Sequence, residues 1–207
     1  MKNIRIFLTM VLCLAASVVS AQDFSDNFQV RRMDTNHFHL WDQDESIVNM
    51  GTRGMTIMAK GETPKDANAI YYEAADDAWE AEANIILYPQ SEGGLVLMND
   101  RNEYWGVTAT YNKIYVRKGN EVVKTIANPY GRYLRMRLSY KDGKLTVAAA
   151  GSAATKIVAN ANPEGKRTPG KNFKTLETLD VKGGKRIAFT SAKKDVVSVR
   201  DFWYTKK

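Results

Sequence analysis

Several groupings of residues have the types and spacings that chemistry needs. Glu80 and Glu82 stand two apart in Trp79-Glu80-Ala81-Glu82-Ala83-Asn84, and on an extended strand residues two apart share a face. Two carboxylates on one face could serve as the acid and nucleophile of retaining glycoside hydrolysis, which needs them about 5 Å apart. The competing reading is a solvated acidic face, the ordinary fate of glutamates. Asp100 and Glu103 form a second pair, in a stretch whose composition reads as a turn ahead of Tyr104. His37 and His39 are the only histidines. On a strand both would sit on one side, where Asp34 or Asp42 could join them around a divalent metal, although the spacing fixes no third ligand. Trp41, Tyr71, Tyr72, Trp105, Tyr111, Tyr115 and Tyr133 offer ring faces for the C–H faces of sugars, with Asn, Asp and Arg as hydroxyl partners.

The elements that must position these groups are strands. Leu134, Met136, Leu138 and Tyr140 alternate with Arg135, Arg137, Ser139 and Lys141, which predicts a half-buried antiparallel strand with a cationic outer face. Asp142-Gly143 supplies a tight turn, and Leu145, Val147 and Ala149 return along the inner face. A second hairpin joins Ile114-Tyr115-Val116 to Val122-Val123 through Gly119-Asn120, and a third joins residues 47–50 to 55–58. Further strands are expected at 38–41, 69–73, 79–88, 94–98, 104–110, 186–190 and 196–204. About a dozen short strands punctuated by Gly, Asn and Asp argue for an all-β, antiparallel two-sheet sandwich. Asn162 to Gly170 is the only Pro/Gly-rich polar run. It reads as a surface loop, because the chain after it is too short for an independent β domain.

The 207 residues, 44% of them hydrophobic, suit one domain with a full core. Residues 1–21 form a separate unit. Lys2 and Arg5 precede an apolar run from Ile6 through Ala16, and Val19-Ser20-Ala21 completes the pattern of a secretory signal peptide. The run is too short for a comfortable membrane span, so an exported protein is expected: periplasmic, cell-surface or extracellular. Cleavage would remove Cys13, the only cysteine, and leave residues 22–207 as a single domain without a thiol nucleophile or Cys-ligated zinc.

The formal net charge of +7 hides a strong asymmetry. Residues 22–112 carry 6 basic and 16 acidic side chains, and residues 113–207 carry 22 basic and 7 acidic. Such a chain either pairs its halves across the fold or shows two oppositely charged faces. An acidic half and the lack of a recognisable binding motif argue against a nucleic-acid partner.

The order of motifs resembles the concanavalin A-like lectin/glucanase superfamily. Gly93-Gly94-Leu95-Val96-Leu97-Met98, the acidic turn through Asn99 and Asp100, and Tyr104-Trp105-Gly106-Val107 look like its paired strands. Lys113 to Arg117, Leu134 to Leu138 with the Asp-Gly turn, and Val199 to Tyr204 follow in order, and Asp23 to Phe28 fits a first strand. The likeness is closest to the β-xylosidase C-terminal-like domain attached to glycoside hydrolases. It implies a jelly-roll sandwich working on or beside polysaccharide. In the enzyme-attached domains a catalytic module precedes this one, whereas here the domain is expected to stand alone behind the signal peptide; the sequence also lacks an aromatic residue after Ala150, and Trp79 to Asn84 is not the Glu-x-Asp-x-x-Glu arrangement of the glucanases. Related sandwiches often carry a structural calcium near the first and last strands, and Asp26 and Asp201 are the matching positions; no other cofactor is expected.

These observations point to a lectin-like sandwich that binds a polysaccharide or oligosaccharide, neutral or anionic, without cleaving it. Glu80 and Glu82 are the weak catalytic candidates. Trp105, Tyr71, Asn102, Arg135 and Arg137 are the expected binding residues, on the expectation that the strands of Trp79, Tyr104 and Leu134 lie together in one concave sheet. The alternatives are a glycoside hydrolase or polysaccharide lyase using that face, and an envelope assembly protein.

Overall fold

The computed structural model describes residues 23–52, 54–152 and 172–207. The expected signal peptide and the polar loop at 162–170 lie outside the described residues. Fifteen strands follow one another, interrupted by a single 3-10 turn at Glu45–Ile47. They are β1 (Phe24–Asp26), β2 (Phe38–Leu40), β3 (Val48–Gly51), β4 (Gly54–Ile57), β5 (Asn68–Glu73), β6 (Trp79–Leu87), β7 (Ser91–Met98) and β8 (Tyr104–Ala109). Then come β9 (Lys113–Lys118), β10 (Glu121–Ala127), β11 (Tyr133–Lys141), β12 (Lys144–Gly151), β13 (Lys174–Asp180), β14 (Arg186–Lys193) and β15 (Val197–Lys206).

The strands form two antiparallel sheets of a sandwich. The first runs β13-β12-β11-β6-β15-β4-β3, with β1 also paired to β15, and the second runs β10-β9-β8-β7-β14-β5-β2. Alternation decides what lies between them. Trp79, Ala81, Ala83, Ile85, Leu134, Met136, Leu138, Phe202 and Tyr204 of the first sheet meet Leu95, Leu97, Trp105, Val107, Ile187 and Phe189 of the second in one continuous core.

The predicted hairpins are present in the predicted register. Lys141 pairs with Lys144 around Asp142 and Gly143, both at positive φ (51° and 73°), the combination a type I′ turn requires. Lys118 pairs with Glu121 around Gly119-Asn120, where Gly119 alone has positive φ (59°), as in a type II′ turn.

One expectation is corrected, and one strand lies where no alternation announced it. The strands of Trp79 and Leu134 are neighbours, β6 and β11, but Tyr104 lies on β8 in the opposite sheet. The Tyr88-Pro89-Gln90 connection carries the chain from one sheet to the other, and Pro89 has no N–H to continue a ladder. Strand β13 carries no period-2 signal: its buried leucines, Leu176 and Leu179, are three apart. A bulge explains this. Val147 pairs with Glu177 and Ala148 with Thr175, so Leu176 is the extra residue.

Candidate functional site

On the outer face of the first sheet, β6 and β11 run side by side with Glu82 opposite Arg137 and Asn84 opposite Arg135. Glu82 is not solvated; it is 2% exposed. Arg137 Nη2 donates to its Oε2 at 3.0 Å, and Arg135 Nε lies 3.5 Å from Oε1. Arg137 also reaches Glu80 (3.6 Å), which accepts hydrogen bonds from Ser139 (3.1 Å) and Lys207 (3.0 Å). Burial works to raise the Glu80 pKa. The Lys207 hydrogen bond, the Arg137 and Lys207 charges and the Ser139 hydroxyl outweigh it and hold the carboxyl below its ordinary value. A carboxylate so held is a poor general acid at neutral pH. Arginine pairing therefore occupies the two candidate catalytic carboxylates, and it likewise engages Arg135 and Arg137, which were expected to meet ligand.

The aspartates expected to share calcium stand apart. Asp26 pairs with Phe202, whose side chain enters the core, whereas Asp201 lies on the outer face and accepts a hydrogen bond from Asn84 Nδ2 at 2.7 Å. Their opposite orientations do not fit a common ion. Asp26 instead accepts from the Phe28 N–H at 2.7 Å, and burial raises its pKa, with the neighbouring Asp34 charge adding to the rise. The histidines separate as well. His37 stacks on Phe24 (4.4 Å) and hydrogen-bonds Asp34 (2.6 Å), while His39 lies by Tyr71 (5.4 Å). The reason is local: strand β2 begins at Phe38, so His37 belongs to the preceding turn and escapes the alternation. Among the described residues no group of three or more His, Cys, Asp or Glu side chains is arranged to hold a metal.

Trp105 also turns out to be a core residue. It is 4% exposed and faces inward with Val107 and Ala109, and its indole N–H has no hydrogen-bond partner among the described residues. The parity was legible, since Trp105, Val107 and Ala109 are the apolar set of β8 and Tyr104, Gly106 and Thr108 its other set. Tyr104 takes the outer face with Val96, Met98, Ala69 and Ala188. Burial pushes its phenol up to about 12, against a lowering by the Arg117 charge. Asn102 sits exposed in the turn before β8, where the Asp100 carboxylate accepts from the backbone N–H of Asn102 (2.7 Å) and Glu103 (2.9 Å). Asp100 is thus the turn residue it was read to be. Deeper on this face Arg117, Thr108 and Glu92 form a buried network. Arg117 Nη2 donates to Glu92 Oε1 at 2.7 Å, Thr108 donates to the same oxygen at 2.6 Å, and Lys193 reaches Oε2 at 3.3 Å.

Tyr71 is the one expected binding residue that borders a large opening. Strands β2 and β3 end the two sheets on the same side of the sandwich, and a cleft of about 970 Å³ opens between them. Phe38, Leu40, Val48 and Met50 give it apolar lining, and Arg31, Arg32, His39, Gln43, Glu45, Asn49 and Tyr71 give it polar and aromatic walls. The Tyr71 ring is fixed by its neighbours: Trp41 packs edge-on at 5.8 Å, and the Arg186 guanidinium lies 5.2 Å from its centre. Arg186 and Arg101 each lie 5.3 Å from the Trp41 ring, within cation–π range. Arg101 is held in turn by Asp42 (2.8 Å) and by the carbonyls of Lys65 and Ala67. Apart from Tyr71 and His39, the wall residues come from segments without hydrophobic period. Their one sequence signal is Arg31-Arg32, two adjacent arginines in an otherwise acidic half.

Neither a protein-family model nor a curated protein matches the sequence. Solved structures do match the fold. A GH43B protein of the Bacteroides ovatus xyloglucan utilisation locus superposes with a TM-score of 0.66 at 13% identity, covering 88% of this chain and 39% of that one. The xylan β-1,4-xylosidase of Bacillus halodurans C-125 gives 0.66 at 11% identity with the same coverages. The Crh5 transglycosylase gives 0.57 at 11% identity, covering 91% of this chain and 85% of that one. The chain shares the two-sheet antiparallel sandwich fold of these structures. It spans 39% of the length of the first two of these chains. At these identities the likeness carries the fold and leaves activity to be argued from the site.

Proposed function

We propose that the protein is an exported, lectin-like sandwich that binds polysaccharide or oligosaccharide, neutral or anionic, without cleaving it. The cleft between β2 and β3 carries this reading. Its volume of about 970 Å³ lies at the upper end of ordinary ligand sites. One rigid aromatic wall, Tyr71, stands among amide, imidazole and guanidinium donors, the combination a sugar's C–H face and hydroxyls call for. The pinning of Glu80 and Glu82 by arginine and lysine supports a binding rather than hydrolytic role. The basic and apolar stretches of residues 1–21 support export.

Affinity gel electrophoresis on neutral and acidic polysaccharides at two salt concentrations, with product analysis of each hit, tests the proposal. The expected result is retention without release of reducing ends. Release of reducing ends would replace it with hydrolysis. A failure to bind any polysaccharide would put an envelope assembly role in its place.

A further inference from the structure

A second cleft lies at one end of the second sheet, away from the β2–β3 opening. Three tight connections build it: residues 88–91 before β7, residues 110–113 between β8 and β9, and residues 193–194 after β14. It encloses about 410 Å³, the scale of one or two sugar rings. Its lining combines lysines with tyrosines. Lys113, Lys193 and Lys194 converge with Tyr111 and Tyr115, and Glu62 is the one carboxylate in the lining.

The charges are arranged unequally. Lys193 is tied to the buried Glu92 (3.3 Å), whose other oxygen is already satisfied by Arg117 and Thr108. Lys113 and Lys194 form no ion pair among the described residues, and both are exposed. Tyr111 is 43% exposed, and the Arg117 guanidinium lies 5.2 Å from the Tyr115 ring centre, which fixes that ring's place. The walls are fixed before any ligand arrives. The Asn128 amide donates to the carbonyls of Thr110 (3.0 Å) and Gly131 (2.8 Å), and Ser91 Oγ closes the 88–91 turn by donating to the Tyr88 carbonyl (3.0 Å). Lys193 adopts positive φ (74°), a conformation costly for a residue with a side chain. The Gly61 carbonyl holds it there by accepting from its N–H at 2.7 Å.

We infer that this cleft is a subsite for an acidic sugar, its ring against Tyr111 and Tyr115 and its carboxylate or sulfate between Lys113 and Lys194. The inference rests on the reading of the protein as a glycan binder and adds the charge class and a separate place of binding. Lys113 and Lys194 are exposed, so the K113E/K194E double variant keeps the fold, which an unchanged melting temperature verifies. The probes are an oligogalacturonate for carboxylate, a chondroitin sulfate oligosaccharide for sulfate, a neutral xylo-oligosaccharide, and polyglutamate as an acidic polymer without sugar.

The expected result is that the double variant loses about tenfold or more in affinity for whichever acidic oligosaccharide the native protein prefers. Neutral binding at the β2–β3 cleft stays as it was. Tyr111→Ala should weaken acidic-sugar binding severalfold without changing its salt dependence, which a purely electrostatic surface would not do. Unchanged acidic-sugar affinity in K113E/K194E, no acidic-sugar binding by the native protein, or equal affinity for polyglutamate would each overturn the inference. Neutral-sugar binding with no acidic-sugar binding defeats this subsite alone, whereas no binding of any sugar defeats the underlying reading.

Discussion

Two arginine pairs, one on the outer face of each sheet, differ in how deeply their carboxylate partners are buried. On the first sheet Arg135 and Arg137 are spent on the carboxylates of Glu80 and Glu82. On the second, Arg101 and Arg186 lie over Trp41 and Tyr71, leaving the aromatic wall beside an open cleft. All four guanidinium groups also lie near aromatic rings, Arg135 by Trp203 and Arg137 by Phe173, so the difference lies in the carboxylate. Glu82 is buried between its arginines, whereas Arg186 pairs with the exposed Glu73 across the ladder (3.4 Å) and Arg101 with Asp42 (2.8 Å), pairs that solvent screens. An arginine on a sandwich face therefore says little about binding until the burial of its carboxylate partner is known. The charge asymmetry of the sequence resolves the same way, since Glu73, Asp77, Glu80, Glu82 and Glu92 of the acidic half meet Arg186, Lys206, Lys207, Arg137 and Arg117 of the basic half.

Four substitutions probe that contrast. The largest effect is expected for Arg117→Met, which removes the buried cation paired with Glu92 and leaves that carboxylate the Thr108 hydroxyl and Lys193. Urea unfolding should show a loss of about 3–5 kcal/mol. Glu82→Gln keeps the shape of the first face but removes the charge that Arg135 and Arg137 surround. A loss of about 2 kcal/mol in stability is expected, with polysaccharide binding unchanged; a loss of binding at intact stability would mean that this face is itself a site. Tyr71→Ala should leave stability nearly intact while weakening neutral-glycan binding by about tenfold, or ~1.4 kcal/mol, measured by affinity electrophoresis.

The smallest effect belongs to Tyr104. Its folded pKa, raised from 10.0 to about 12, means that the unfolded chain ionises first. Its contribution is fully present below pH 10 and falls away as pH climbs toward 12. Tyr104→Phe should flatten the stability profile across that alkaline window, and an identical slope in the variant would show that the phenol is not buried as described.

Much of the scaffold was legible because its signals are local. The β11–β12 hairpin announces itself through unbroken alternation and Asp142-Gly143. Strand β13 does not, because the bulge at Leu176 shifts the phase, and a sequence window cannot know that the partner strand absorbs one residue less. The site was less legible for a different reason. Whether Glu82 meets water or Arg137 depends on a pairing between residues 55 apart in sequence, and the assignment of β8 to the second sheet depends on where the chain crosses at Tyr88-Pro89-Gln90. The β2–β3 cleft is walled in part by residues 31–35 and 43–45, which lie outside any strand and whose conformation is set by loop closure rather than by period. Trp105 is the exception: the parity of Val107 and Ala109 already assigned it to the core.

The bulge in β13 has a counterpart at the other long sheet edge, where β10 slips register between Val122 and Lys124. The outermost strands on the opposite side, β2 and β3, are only three and four residues long. Each exposed sheet margin is thus either too brief or too irregular to template a further strand. Two chains meeting side by side would find no straight ladder to extend. The described edges thus disfavour sheet-to-sheet association between copies of the chain.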